Sequence, residues 1–88
     1  MSTSDSFFAI ADPHRRYILE ELRRSPRTVG ELAESLPISR PAVSQHMKIL
    51  LDAGMVSARS EGTRRIYMLE EAAFSPLHLW LDQFWTGA

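Results

Sequence analysis

Between Ser39 and Gly54 the chain reads SRPAVSQHMKILLDAG, and the side chains with chemistry to offer recur there at helical spacing. Val43, Met47 and Leu50 stand three and four apart and form an inner stripe, flanked by Ala42 and Leu51. Arg40, Ser44, Gln45 and Lys48 fall on the outer side, and they are the types that meet base edges and phosphates. An arginine can donate two hydrogen bonds to guanine O6 and N7, and a glutamine can make the same two-point contact with adenine N6 and N7. Each such pair is worth about 1–3 kcal/mol of discrimination between bases. Ser44 is a short donor or acceptor for base or phosphate, and Lys48, one turn on, is placed for a phosphate. Ser39 and Pro41 complete the DNA-facing end, Ser39 as the N-cap and Pro41 in the first turn. An isolated surface helix also turns polar side chains outward, so the neighbouring elements carry the decision.

Those neighbours are specific. Thr28 and Glu31 form a Thr-x-x-Glu capping box, which opens a helix of about two turns with Val29, Leu32, Ala33 and Leu36 facing inward. Leu36-Pro37-Ile38 makes the turn into the helix at Ser39, and Gly54 is its left-handed stop. Val56 to Ser60 and Arg65 to Leu69 then read as two strands joined at Glu61-Gly62-Thr63-Arg64. Tyr67 and Leu69 share one face of the second strand, Ile66 and Met68 the other. Arg59, Thr63, Arg64 and Arg65 give this hairpin a form that suits a DNA backbone or minor groove. Charged tips also keep sheet edges soluble, and it is attachment to a groove-reading helix that favours the DNA role.

Upstream, Asp12-Pro13 starts a helix with Tyr17, Ile18, Leu19 and Leu22 as its apolar stripe. Arg15, Arg16, Glu20, Glu21, Arg23 and Arg24 supply its polar surface, and Ser25-Pro26 ends it. Asp5 is placed to cap a first short helix carrying Phe7, Phe8 and Ile10, and Ser75-Pro76 opens a last helix lined by Leu77, Trp80, Leu81 and Phe84. The order is four helices, two strands and a helix. The expected fold is therefore mainly α within the α+β class: a winged helix-turn-helix of five helices with a two-stranded β-hairpin wing, one domain over residues 1–88.

Composition sets the limits. With 88 residues, 44% hydrophobic and 24% charged, the chain suits one small globular domain. It has no cysteine, which excludes disulfides, thiolate metal sites and cysteine nucleophiles. No apolar run approaches the roughly 18 residues of a membrane span, and the N-terminus lacks a signal-peptide layout, so the expected location is the cytoplasm. Net charge is −1, against the basic balance usual for nucleic-acid binding. Its distribution answers that objection: Ser39 to Met68 holds five basic and two acidic residues, a balance of +3, and the rest of the chain carries −4. Screening confines such fields to about 8–10 Å, so the local sign matters most. No glycine-rich phosphate loop, convergent carboxylate pair or serine with an assignable base points to an enzyme.

The histidines divide. His46 lies between the inner and outer faces of its helix and can either donate to a phosphate or pack in place. His14 reads as a surface residue. His78 and Asp82 stand four apart on the last helix, a spacing that ligates metals, but two ligands make an incomplete site and a chance pairing explains them.

The stretch DPHRRYILEELRRSPRTVGELAESLPISRPAVSQHMKILLDAGMVSARSEGTRRIYML, from Asp12 to Leu69, resembles the ArsR family of bacterial winged-helix repressors. The resemblance implies a homodimer on a pseudo-palindromic operator, with first and last helices at the dimer interface. The residues support this on their own account, since six of the eight aromatics (Phe7, Phe8, Phe74, Trp80, Phe84, Trp85) lie in the terminal segments. The expected interface is Phe7, Phe8, Ile10, Leu77, Trp80, Leu81, Phe84 and Trp85; the alternative is that the two ends pack only on each other. Metal-sensing members use a cysteine pair in the first helix of the motif, where this chain has Glu31-Leu32-Ala33-Glu34. The chain is thus similar to the metal-independent autorepressors. Its expected partners are double-stranded DNA and a second copy of itself, with no cofactor, metal or membrane. The competing readings are a protein-binding winged-helix module and a metal-responsive repressor with an unrecognised site.

Overall fold

Local side chains decide where the three middle helices begin. A computed structural model describes residues 3–85, in the order α1 (Thr3–Ile10), α2 (Pro13–Arg24), α3 (Val29–Ser35), α4 (Arg40–Asp52), β1 (Val56–Glu61), β2 (Arg64–Leu69), a 3-10 helix (Glu71–Phe74) and α5 (Ser75–Asp82). This is the winged helix-turn-helix expected from the sequence. The carboxylate of Asp12 accepts the Arg15 amide at 3.0 Å and starts α2, with Pro13 in the first turn. In α3 the Thr28 hydroxyl accepts the Glu31 amide at 3.1 Å, and the Glu31 carboxylate accepts the Thr28 amide at 2.8 Å. Ser39 caps α4 by accepting the Ala42 amide at 3.2 Å. Asp5 lies inside the first turn of α1 and does not cap it. There its charge faces the positive end of the helix dipole.

At the other end of α4, Gly54 takes φ +73° and lets the chain leave the helix toward the wing. β1 and β2 pair antiparallel, from Val56 opposite Leu69 to Glu61 opposite Arg64. Their two-residue loop has positive φ only at Gly62, which suits the twist of a tight hairpin. Each strand runs one residue closer to the tip than the sequence pattern indicates. The pattern also gave no sign of the 3-10 helix, or of a bridge between Arg27 and Tyr67. There the Arg27 amide donates to the Tyr67 carbonyl at 3.1 Å and the Tyr67 amide to the Arg27 carbonyl at 2.8 Å. This bridge fastens the wing to the connection between α2 and α3.

The core gathers Ile18 and Leu22 of α2, Leu32 and Leu36 of α3, and Val43, Met47 and Leu50 of α4, with Ala9, Met55, Val56, Tyr67 and Leu77. The inner stripe of α4 is thus the expected one. Leu77 departs from expectation, being only 4% exposed. It secures α5 to its own chain and offers nothing to a partner. Ile66 and Tyr67 are both buried although they alternate along β2. No helix among the described residues is long and apolar enough to cross a membrane.

Replacing Gly54 with alanine keeps the chain direction only by holding a Cβ in the left-handed region, at a cost of about 1–2 kcal/mol. For a domain this small that corresponds to a fall in Tm of about 4–8 °C per kcal/mol. Thermal unfolding followed by circular dichroism at fixed protein concentration checks it, and an unchanged Tm contradicts the assigned role of Gly54.

Candidate nucleic-acid interface

With Val43 and Leu50 fully enclosed and Met47 nearly so, the outward row of α4 has one direction to face. Ser39, Arg40, Pro41, Ser44, Gln45 and Lys48 are all exposed along it. The Arg40 guanidinium lies over α3, where a Cβ on Gly30 would stand 3.1 Å from Nη2. Glycine at position 30 therefore lets the arginine rest between the two helices. Beside it, Thr28, Gly30, Arg40, Thr63, Arg64 and Arg65 border a groove of about 350 Å³ between the start of α4 and the wing. The structure so brings Arg40, Thr63, Arg64 and Arg65 to one concave surface. Arg65 also stacks over Tyr67, its guanidinium carbon 5.4 Å from the ring centre.

Several of these cations carry an acidic partner. Lys48 Nζ is 3.5 Å from Asp52, and Arg64 is 3.8 Å from Glu31. The Glu31 carboxyl is held below its ordinary value, first by the Thr28 amide and further by Arg64 and Arg27, against a smaller opposing effect of burial. Arg59 sits outside the groove, paired with Glu61 at 2.9 Å and donating to the Met68 sulfur at 3.1 Å. Exposed pairs of this kind are worth about 0–1 kcal/mol, so a phosphate can compete for each cation.

Arg15 was expected on the surface of α2, and the structure places it inside, 6% exposed. Its Nε donates to the Ala9 carbonyl at 2.7 Å and its Nη2 to the Phe8 carbonyl at 3.0 Å, while Nη1 lies 3.2 Å from His46 Nδ1. Burying a guanidinium is tolerable only with its donors occupied in this way. A guanidinium only donates, so Nδ1 accepts and the neutral ring carries its proton on Nε2, which faces Asp12 at 3.9 Å. Burial is the first cause that pushes the His46 pKa below 6.5, with Arg15 and His14 adding to it and Asp12 opposing. Partial burial works to raise the Asp12 pKa, but the Arg15 amide, His46 and the Arg15 charge hold it below 3.8. The structure thus turns His46 inward. His14 is half-buried against it, ring centres 5.8 Å apart, and is not the free surface residue its position suggested.

The donor atoms of Asp12, His14 and His46 lie within 4.8 Å of one another. Two imidazoles and a carboxylate form a set that a zinc-like cation accepts. Sequence reasoning drew out His78 and Asp82 instead, because Asp12-x-His14 and His46 are 32 residues apart and only the fold joins them. Arg15 opposes a cation here: it occupies Nδ1 of His46 and so leaves the proton on Nε2.

Together, α1 and α5 expose an aromatic surface. The Phe7 and Trp80 rings meet edge to face at 5.1 Å, and Trp80 and Phe84 at 4.8 Å. Phe8, Trp80, Leu81, Phe84 and Trp85 are exposed, while Phe7 and Ile10 are half-buried. Leu79, 70% exposed, lies instead beside Glu71, Phe74, Ser75 and His78. The periodic stripe of α5 passed it over.

Folded His46 holds its proton less tightly than the unfolded side chain, so between its folded value and 6.5 the unfolded chain binds more protons. Stability is complete above that window and declines as pH falls through it; Asp12 adds a loss of the same sign below 3.8. Unfolding measured from about pH 7.5 to about pH 5 should show the decline. His46→Gln, which keeps an acceptor for Arg15, should flatten it; an equal decline in the variant removes His46 as its source.

The family model for "Bacterial regulatory protein, arsR family" matches residues 12–58. The chain is 52% identical over 80 residues to the HTH-type transcriptional regulator Rv2034 of Mycobacterium tuberculosis, covering 91% of this chain and 75% of that protein. It is 36% identical to the transcriptional repressor SdpR of Bacillus subtilis, over 89% of this chain and 87% of that one. Among solved structures, a possible transcriptional regulator for arsenical resistance superposes with a TM-score of 0.84 at 37% identity, over 92% of this chain and 84% of the other. The chain belongs to the ArsR family of bacterial regulatory proteins and is a DNA-binding transcriptional regulator, not an enzyme.

Proposed function

We propose that the protein is a homodimeric repressor, one folded domain per subunit, that binds a pseudo-palindromic operator in the cytoplasm and needs no metal ligand. One observation carries the reading. The exposed row Arg40, Ser44, Gln45 and Lys48, with the wing groove at its N-terminal end, shares a subunit with an aromatic face that its own core leaves exposed. Pairing two such faces about a two-fold axis sets the two recognition helices into successive major grooves, about 10 base pairs apart. Bound there, the dimer occludes a promoter. Arg40 and Gln45 read base edges, Ser44 and Lys48 hold the backbone, and Arg64, Arg65 and Thr63 follow it along the wing, with Arg59 at its margin. The occupation of His46 by Arg15 supports the metal-free reading; the Asp12, His14 and His46 cluster is the observation that favours a metal-responsive one. Zinc titration separates them, since stoichiometric binding that weakens operator affinity overturns the first.

Binding to the protein's own upstream region, by fluorescence anisotropy with competitor DNA, tests the whole. Absence of specific binding at moderate salt refutes it. Lys48→Ala should weaken binding to all sequences and lower the salt slope by about one. Arg40→Ala should instead relax preference at one base position, by about 1–3 kcal/mol. Phe84→Glu places a charge in the aromatic face and should give a monomer in sedimentation, with operator affinity reduced; a persisting dimer moves the interface elsewhere.

A further inference from the structure

The buried guanidinium of Arg15 touches two elements with different duties. Two of its bonds close the C-terminal end of α1, at the carbonyls of Phe8 and Ala9. Its third reaches His46, in the middle of the recognition helix. The Phe8 ring lies 5.2 Å from the same guanidinium and is itself 63% exposed, and the preceding Phe7 packs edge to face on Trp80 of the aromatic surface. One planar group therefore joins the surface through which subunits would meet to the helix that would enter the groove. Few other groups could do so. A lysine at this position has the charge but not the fixed fork, and an apolar side chain removes the donor to the Ala9 carbonyl and leaves Phe8 only the Ala11 amide at 3.2 Å.

We propose that Arg15 is a positioning residue: it fixes the recognition helix relative to the dimer face, and so sets the half-site spacing the protein accepts. This rests on the dimeric DNA-binding reading above. Two half-sites are read together only if the two helices stand at one separation and one rotation. Moving a half-site by one base pair shifts it by about 3.4 Å and turns it by about a tenth of a helical turn. A helix held only by its apolar stripe can rock about that stripe. The bond from Arg15 to His46 lies to one side of the stripe and stops the rocking. Helix α1, whose Phe7 packs on Trp80, is held by the same guanidinium through its Phe8 and Ala9 carbonyls, so subunit contact and helix attitude are not independent.

The test measures affinity of the full chain for a set of operators whose half-site separation is stepped by single base pairs. Wild type should prefer one separation, with a loss of about ten-fold one base pair away, the size expected when base contacts are mismatched. Arg15→Lys should flatten this profile to within about three-fold while the protein remains a folded dimer by thermal unfolding and sedimentation. Because Arg15→Lys could fail to fold, His46→Leu is measured beside it; it keeps both Arg15 bonds to α1 and removes only the link to α4. Losing a direct DNA contact lowers affinity equally at every separation, whereas losing position flattens the profile. A folded dimer of either variant that keeps the sharp wild-type profile overturns the inference. A wild type with no preferred separation refutes the dimeric reading itself, which is a different result.

Discussion

Helix α4 cannot turn about its own axis without emptying the core. Val43, Met47 and Leu50 are buried almost completely, and together with Leu32 and Ile18 they are much of what holds the helices together. A shift of one residue along the helix rotates its faces by about 100° and exchanges those side chains for Ser44 or Lys48. Each large apolar side chain lost from such a core costs about 2–5 kcal/mol, a sizeable part of the whole stability of a small domain. Orientation of the outer row therefore follows from packing on the inner one. Specific reading of a base sequence needs that rigidity, because a two-point hydrogen bond tolerates little rotation.

Rotation is one freedom, and the remaining ones are restrained by polar groups. Asp12, Arg15 and His46 close the junction between α1, α2 and α4, and the Arg27–Tyr67 bridge fastens the wing to the same scaffold. The two devices differ in kind. Apolar contacts are strong but non-directional, whereas the fork of Arg15 and the paired amides of the bridge fix angles. The aromatic face of α1 and α5 is left over from this arrangement. A core built from five short helices and a hairpin has no room for both tryptophans, and Trp80 and Trp85 stay exposed.

What the sequence discloses divides along the same line. Capping residues act within three or four positions, so Asp12, Thr28 and Ser39 could be read directly, as could the Gly54 stop. The 3.6-residue stripe of α4 and the glycine turn of the wing are equally local. Arg15 could not be read, since its acceptors are six and seven residues back and its histidine is 31 residues ahead. By pattern it is one of several charges on α2. Leu77 misled for a related reason: on α5 it sits in the same apolar series as Trp80 and Leu81, and only the position of α5 against the core separates the side that is enclosed from the side that is not. The bridge at Arg27 is a main-chain contact and leaves no trace in side-chain pattern.

Charge completes the picture of how so neutral a chain can hold DNA. Lys48, Arg59 and Arg64 each keep a carboxylate of their own chain within 4 Å. In the free protein this mutes the basic surface and limits its attraction to any polyanion at a distance. Close to a duplex the balance changes, because a phosphate that arrives in hydrogen-bonding position offers what the exposed carboxylate offered, and counterions leave the DNA as it does so. Only a phosphate in the right place makes that exchange. On the DNA-binding mode proposed above, a cation tied weakly to its own chain thus favours a fitted backbone over an arbitrary one, and the rigid seating of α4 would determine which backbone fits.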